Sequence, residues 1–239
     1  MSVSEALPSY WLDRPSFKLT SNLEATFEAI FTKRVMPRVM RGVMPGKAQY
    51  IKSLPAPKWV FLCWLTDTKN ILLHGSGNPN ISLFEPRSPN EDSPDAFSKQ
   101  KAVFAAGDGI WPIFYAIMDR ENYRFRMLNS TLQPETSPGH YADMRYFFSI
   151  TEGMLSRKPF RDGVIYILPK HGFVQQPPYE LVGRSVLEPH FASPEPVRPL
   201  AKLKVRPDDF PFLKVIREHD EATVRVRAGQ DPYGFPWLD

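Results

Sequence analysis

Short apolar runs, cut apart by proline-rich polar stretches, set the pattern of this chain. Leu23, Phe27, Ile30 and Phe31 recur at helical spacing behind Ser21, an N-cap residue with Glu24 three positions on, which predicts one amphipathic helix to about Val35. Residues 59–65 are apolar throughout. A continuous run has no readable period and fits a buried helix or a strand, and the polar stretch 66–70 ends it in turn chemistry. Ile71-Leu72-Leu73 then predicts a short buried strand ending at His74. Residues 102–106 read as a second strand, Gly107-Asp108-Gly109 as a turn, and 110–118 as a helix that carries Pro112 in its first turn. The alternating stretch 123–128 predicts a strand and the Pro/Ser/Gly-rich stretch 133–141 a loop. Four more strands are expected at 146–150, 163–168, 179–182 and 200–205. Residues 207–211 look like a helix start with Phe212, Val215 and Ile216 facing inward; His171 reads as a hairpin-turn residue and His219 as the end of a helix. The expected fold is mixed α+β and β-rich, with short strands and long loops.

Composition narrows this. Twenty-five prolines each fix φ and remove an amide donor, which discourages long helices, and 239 residues with 42% hydrophobic content suffice for a sizeable core. The longest apolar stretch falls far short of the roughly 20 residues of a membrane span, and no charged-then-apolar leader is read, so a soluble, cytoplasmic protein without membrane partners is expected. The lone cysteine, Cys63, sits inside that stretch and reads as a buried small hydrophobe. A formal net charge of +4 permits contact with nucleic acid without demanding it. Lys33, Arg34, Arg38, Arg41 and Lys47 crowd one segment without an acidic residue, either a solvated basic face or a phosphate-facing patch. The loop 77–99 is long enough to be a lid over a site.

Candidate chemistry centres on His74-Gly75-Ser76, where a buried strand would deliver an imidazole and a side-chain-free backbone to a cleft. There is no Gly-x-Gly-x-x-Gly, Walker loop, Gly-x-Ser-x-Gly elbow or His-Glu-x-x-His, and His140, His171, His190 and His219 are too scattered for a local metal pair. Three pieces in order, His74-Gly75-Ser76, the strand Ala102-Val103-Phe104-Ala105 leading into an aromatic helix, and Glu188 nine residues before Val197 with Lys202-Leu203-Lys204-Val205 closing the segment, resemble the ADP-ribosyltransferase catalytic domain of poly(ADP-ribose) polymerases and bacterial toxins. The resemblance spans about residues 70 to 206, and Val103 stands where that family usually has a tyrosine.

What the resemblance implies is an α+β ADP-ribosyltransferase-like domain over 59–239, with a C-terminal helix and tail, behind an N-terminal helical extension over 1–58. It implies cleavage of NAD, used as a substrate, with release of nicotinamide and transfer of ADP-ribose to a protein or nucleic-acid acceptor, a glycosyltransferase reaction that needs no metal. His74 would donate to the ribose, Gly75 and Ser76 would grip nicotinamide, and one of Trp111, Phe114 and Tyr115 would stack on it. Glu188, with Glu180 and Glu195 as competitors, would steady the oxocarbenium-like charge that develops as the bond breaks. Alternatives are an NAD- or ADP-ribose-binding module of the same fold without turnover, an RNA 2′-phosphotransferase-like enzyme, and a scaffold whose Lys33–Lys47 segment docks on nucleic acid.

Overall fold

Residues 7–37, 48–88, 96–181 and 183–238 are described by the computed structural model; Arg38, Arg41 and Lys47 of the basic segment lie outside them. In chain order the elements are β1 (Leu12–Asp13), α1 (Ser21–Arg34), β2 (Gln49–Ile51), α2 (Lys58–Thr68), β3 (Ile71–Ser76), α3 (Ala96–Lys99), β4 (Val103–Ala106), α4 (Trp111–Ile117), β5 (Met127–Ser137), β6 (His140–Tyr141), β7 (Arg145–Thr151), β8 (Gly163–Pro169), β9 (Val174–Gln175), β10 (Tyr179–Leu181), β11 (Arg184–Leu187), β12 (His190–Ser193), β13 (Ala201–Val205), β14 (Arg217–His219) and α5 (Glu221–Gln230). Among the described residues this is a mixed, β-rich α+β fold with two seven-stranded sheets. The first runs β1-β7-β5-β11-β10, with β14 beside β7 and β6 beside β5; the second runs β2-β13-β8-β3-β4-β12-β9. No helix among these residues is long and apolar enough to cross a membrane.

Helix α4 lies between the sheets and organises the core. Ile113, Phe114, Ala116 and Ile117 have no exposed surface, and the Phe114 ring packs on Phe148 of β7 at 4.8 Å and on Phe210 at 5.7 Å. On its other side the helix meets β3 and β8 at backbone range, because both strands carry glycine there. A Cβ on Gly75 would lie 1.8 Å from the Pro112 carbonyl oxygen, and one on Gly163 would lie 2.1 Å from that of Ala116. The start of the helix is fixed by Asp108, which is fully buried. Its Oδ1 accepts from the Ile110 and Trp111 amides at 2.8 and 2.7 Å, and its Oδ2 accepts from the Tyr146 hydroxyl at 2.7 Å and from Arg14 at 3.2 Å. The pair of amides at the helix start thus meets a charged acceptor where Pro112 leaves no amide to satisfy.

Several elements differ from the sequence expectation for identifiable reasons. The stretch before residue 58 contributes two strands as well as its helix: β1 pairs with β7, β2 pairs with β13, and Phe27 of α1 packs on Phe61 and Trp64 of α2. Helix α1 is capped one residue early, by the Thr20 side chain accepting from the Leu23 amide. The apolar run at 59–65 is helical, and Cys63 is buried within it, where burial pushes its thiol well above the ordinary range. The expected loop at 133–141 is instead the end of β5 and its hairpin with β6. Pro134 is tolerated because it falls where β5 changes partner, from β7 up to Leu132 to β6 from Glu135. Residues 207–215 make two short 3₁₀ turns rather than a helix, burying Phe212 and Ile216 and leaving Val215 exposed. His219 ends a strand, not a helix, and its Nδ1 meets Ser149 Oγ at 2.8 Å.

Candidate functional site

The opening between β3 and β4 is where the local chemistry gathers. The two strands are paired only at Leu73 and Ala106, whereas β3 stays paired with β8 along its whole length, to Ser76 opposite Val164. Extending the β3–β4 register would set Gly75 opposite Phe104, but the Phe104 carbonyl is taken by the His74 side chain, at 2.7 Å from Nδ1. A carbonyl only accepts, so Nδ1 carries the proton and, in the neutral ring, Nε2 carries the lone pair. His74 therefore presents an acceptor, where the resemblance implied a donor. Its ring rests against Phe84 at 4.7 Å. Burial, with Arg120 and Arg87 nearby, holds the imidazole below its ordinary pKa and favours that neutral form.

Strand alternation places Gly75 on the α4 face and His74 on the other. The α4 face of β4 and β12 carries an aromatic group. His190, opposite Ala106, stacks on Phe104 at 5.1 Å and meets Trp111 edge-on at 5.6 Å and Phe97 at 5.4 Å. Trp111 Nε1 donates to Asn129 Oδ1 of β5 at 2.6 Å, and His190 Nδ1 lies 2.9 Å from Gln176 Oε1. Trp111 and Tyr115, four residues apart on α4, form one wall beside this floor, with Phe104, Tyr115 and His190 each half-buried. Sequence reading missed His190, which looked isolated among scattered histidines. The signal that reveals it is the four-residue strand after Glu188-Pro189, whose register against β4 brings it beside Phe104.

The remaining sequence candidates are dispersed. Phe114 offers no face to a ligand, because it is wholly enclosed between the sheets. Ser76 Oγ accepts from the Asn78 amide within its own turn, and Gly75 is accounted for by the close approach of α4. Glu188 is buried, while Glu180 and Glu195 are exposed. It sits between β11 and β12, and its Oε1 accepts from Ser130 at 2.5 Å and Tyr179 at 2.9 Å. Ser130 and Asn129 are successive residues of β5 and so face opposite ways, which sets the Glu188 carboxylate across the strand from the Trp111–Asn129 contact.

A cavity of about 870 Å³ lies at the other end of β3, between Ile71, Trp59, Arg14 and Pro189, and His74, Trp111 and His190 do not line it. Two of the cations there are paired within the chain, Arg14 with Asp67 at 2.6 Å and Arg145 with Asp13. Comparison with known proteins found no matching family model, no matching curated protein and no matching solved structure.

The pH dependence of stability follows from two histidines, the buried His219 and the half-buried His74. His219, like His74, is held below its ordinary pKa, chiefly by burial. As pH falls through about 6.5 the unfolded chain takes up protons first, so their contribution is complete above that value and is lost as pH falls toward the lowered folded values. Melting curves across about pH 8 to 5 are expected to show a falling melting temperature below neutrality, with a shallower fall in His74→Gln. An equal fall in parent and variant would remove His74 from this behaviour.

Proposed function

We propose that this chain binds NAD in the groove along β4 and α4, and that ADP-ribosyl transfer to a protein or nucleic-acid acceptor is the activity this binding serves. The observation that carries the reading is the parting of β3 from β4 at His74. It leaves a neutral imidazole with an acceptor nitrogen on one face of the opening and, on the α4 face, an aromatic floor and wall formed by Phe104, His190, Trp111 and Tyr115. A flat, positively charged nicotinamide ring suits that aromatic wall, and a ribose hydroxyl suits Nε2 of His74 as its donor.

One observation favours a second reading, an NAD-binding module without turnover. Cleaving the nicotinamide–ribose bond builds positive charge on the ribose, and a carboxylate must face that charge. The Glu188 carboxylate faces the Ser130 and Tyr179 hydroxyls instead. Nicotinamide release from labelled NAD separates the two. If Glu188 acts on the transition state, Glu188→Gln is expected to keep NAD affinity while release falls by at least about a hundredfold. Release that is equal in parent and variant would take Glu188 out of the chemistry, and NAD binding without any release by the parent would establish the binding module.

A further inference from the structure

The end of β3 carries charge that the NAD reading has not used. Arg161 lies against Gly77, so close that a Cβ on that glycine would sit 1.8 Å from the guanidinium, and its Nε is buried without a hydrogen-bond partner. Its terminal nitrogen reaches Glu121 at 3.0 Å and Asp119 at 4.0 Å, which offsets part of its charge. Arg120 follows α4, its amide bonded to the Met118 carbonyl, and Arg87 is fixed by paired backbone bonds to Ala102 just before β4 begins. Both side chains are exposed, and neither makes an ion pair among the described residues. They lie near enough to His74 to disfavour its protonated form. The Arg161 guanidinium thus lies at the strand end, its backbone bonded to the Ile117 carbonyl at the close of α4, with Arg120 following that helix and Arg87 bonded to the residue before β4.

We infer that Arg87, Arg120 and Arg161 form a phosphoanion site at the end of β3, taking the diphosphate of a dinucleotide whose aromatic end lies against Trp111 and His190. Guanidiniums are suited to this, since each offers a planar fork to two phosphate oxygens. The spacing agrees: the seven residues of α4 separate the aromatic end from the basic end, a run of about 10 Å at helical rise. The assignment rests on the NAD reading for its ligand but not for its chemistry, since any compact diphosphate would meet the same three cations.

Titration of the full chain with NAD, ADP-ribose, inorganic pyrophosphate and nicotinamide, in the parent and in Arg87→Gln/Arg120→Gln, tests the assignment. These two exposed side chains are chosen so that folding is unaffected; Arg161→Lys, which keeps the charge but loses the fork, is the second variant. The parent is expected to bind ADP-ribose and pyrophosphate with an affinity that falls as salt rises, and the double variant to bind both at least about tenfold more weakly, with nicotinamide binding unchanged. Pyrophosphate binding that depends on the arginines, in a parent that does not bind NAD, would uphold the anion site and defeat the NAD reading. NAD binding equal in parent and double variant would do the reverse. A parent that binds neither would overturn both.

Discussion

Gly75→Ala is expected to abolish the folded state or to cost it about 5 kcal/mol, comparable with the whole stability of a marginal domain. The new methyl would lie 1.8 Å from the Pro112 carbonyl oxygen and 3.1 Å from the Ala116 amide nitrogen, both backbone atoms of a helix that has no free direction in which to move. Gly163 holds α4 equally close on β8, Asp108 fixes its first turn, and Phe114 fills the space toward β7. Relief requires lifting α4 off the sheet and opening a core of side chains without exposed surface, which overpacking penalties and lost burial both oppose. Gly229→Ala is the control: it meets nothing within 4 Å and lies in α5, where alanine is the better helix former. Urea denaturation is expected to show a collapse for Gly75→Ala and no loss for Gly229→Ala; a normal midpoint for Gly75→Ala would mean that α4 does not sit on β3. Lost activity in a Gly75 variant would accordingly report on folding and not on nicotinamide.

Asp108→Ala is expected to cost about 3 kcal/mol or more. It removes a charged acceptor from two helix-start amides and from the Tyr146 hydroxyl in a place without water to replace it, and charge-assisted bonds of this kind are worth about 1.5–3 kcal/mol each before compensation. Arg14 keeps Asp67 as a partner, so its own penalty is partial. Tyr146→Phe, which deletes a neutral hydroxyl that donates to Asp108 and accepts from Arg14 Nε while the ring stays packed on Phe148 and Phe212, is expected to cost about 1 kcal/mol. Equal midpoints for Asp108→Ala and Tyr146→Phe would contradict the assignment of Asp108 as the anchor of α4.

The elements that pack by their own pattern were legible in the sequence: β3, β4, α4, β7, β8 and β13 fall within a residue or two of where apolar runs and turn residues place them. What was not legible depends on partners distant in the chain. Residues 133–137 look like a loop because Gln, Pro, Glu and Ser surround a single β-branched residue, Thr136, yet pairing with β6 and β11 extends β5 through them. Residues 49–51 became a strand because β13 offers an edge, which no local pattern announces. The same holds for the site. His74 was visible as the polar end of an apolar strand. His190, Asn129 and Gln176 join Trp111, and Arg161 reaches the end of β3, only through the order β3-β4-β12 and the placement of α4 between sheets. Phe114 and Tyr115 could not be told apart by helical spacing alone, and the closure of the first sheet over α4 buries the one and leaves the other at the groove.

The most direct test of NAD binding at the β3–β4 opening is the melting temperature of the parent and of His74→Ala with and without millimolar NAD. A ligand that binds only the folded chain stabilises it by about 2.7 kcal/mol at a hundred times its Kd, which for a domain of this size is a rise of several degrees. The parent is expected to show that rise, and His74→Ala to remain folded without it. No rise in the parent, or an equal rise in the two proteins, would contradict the assignment of this opening as the NAD site.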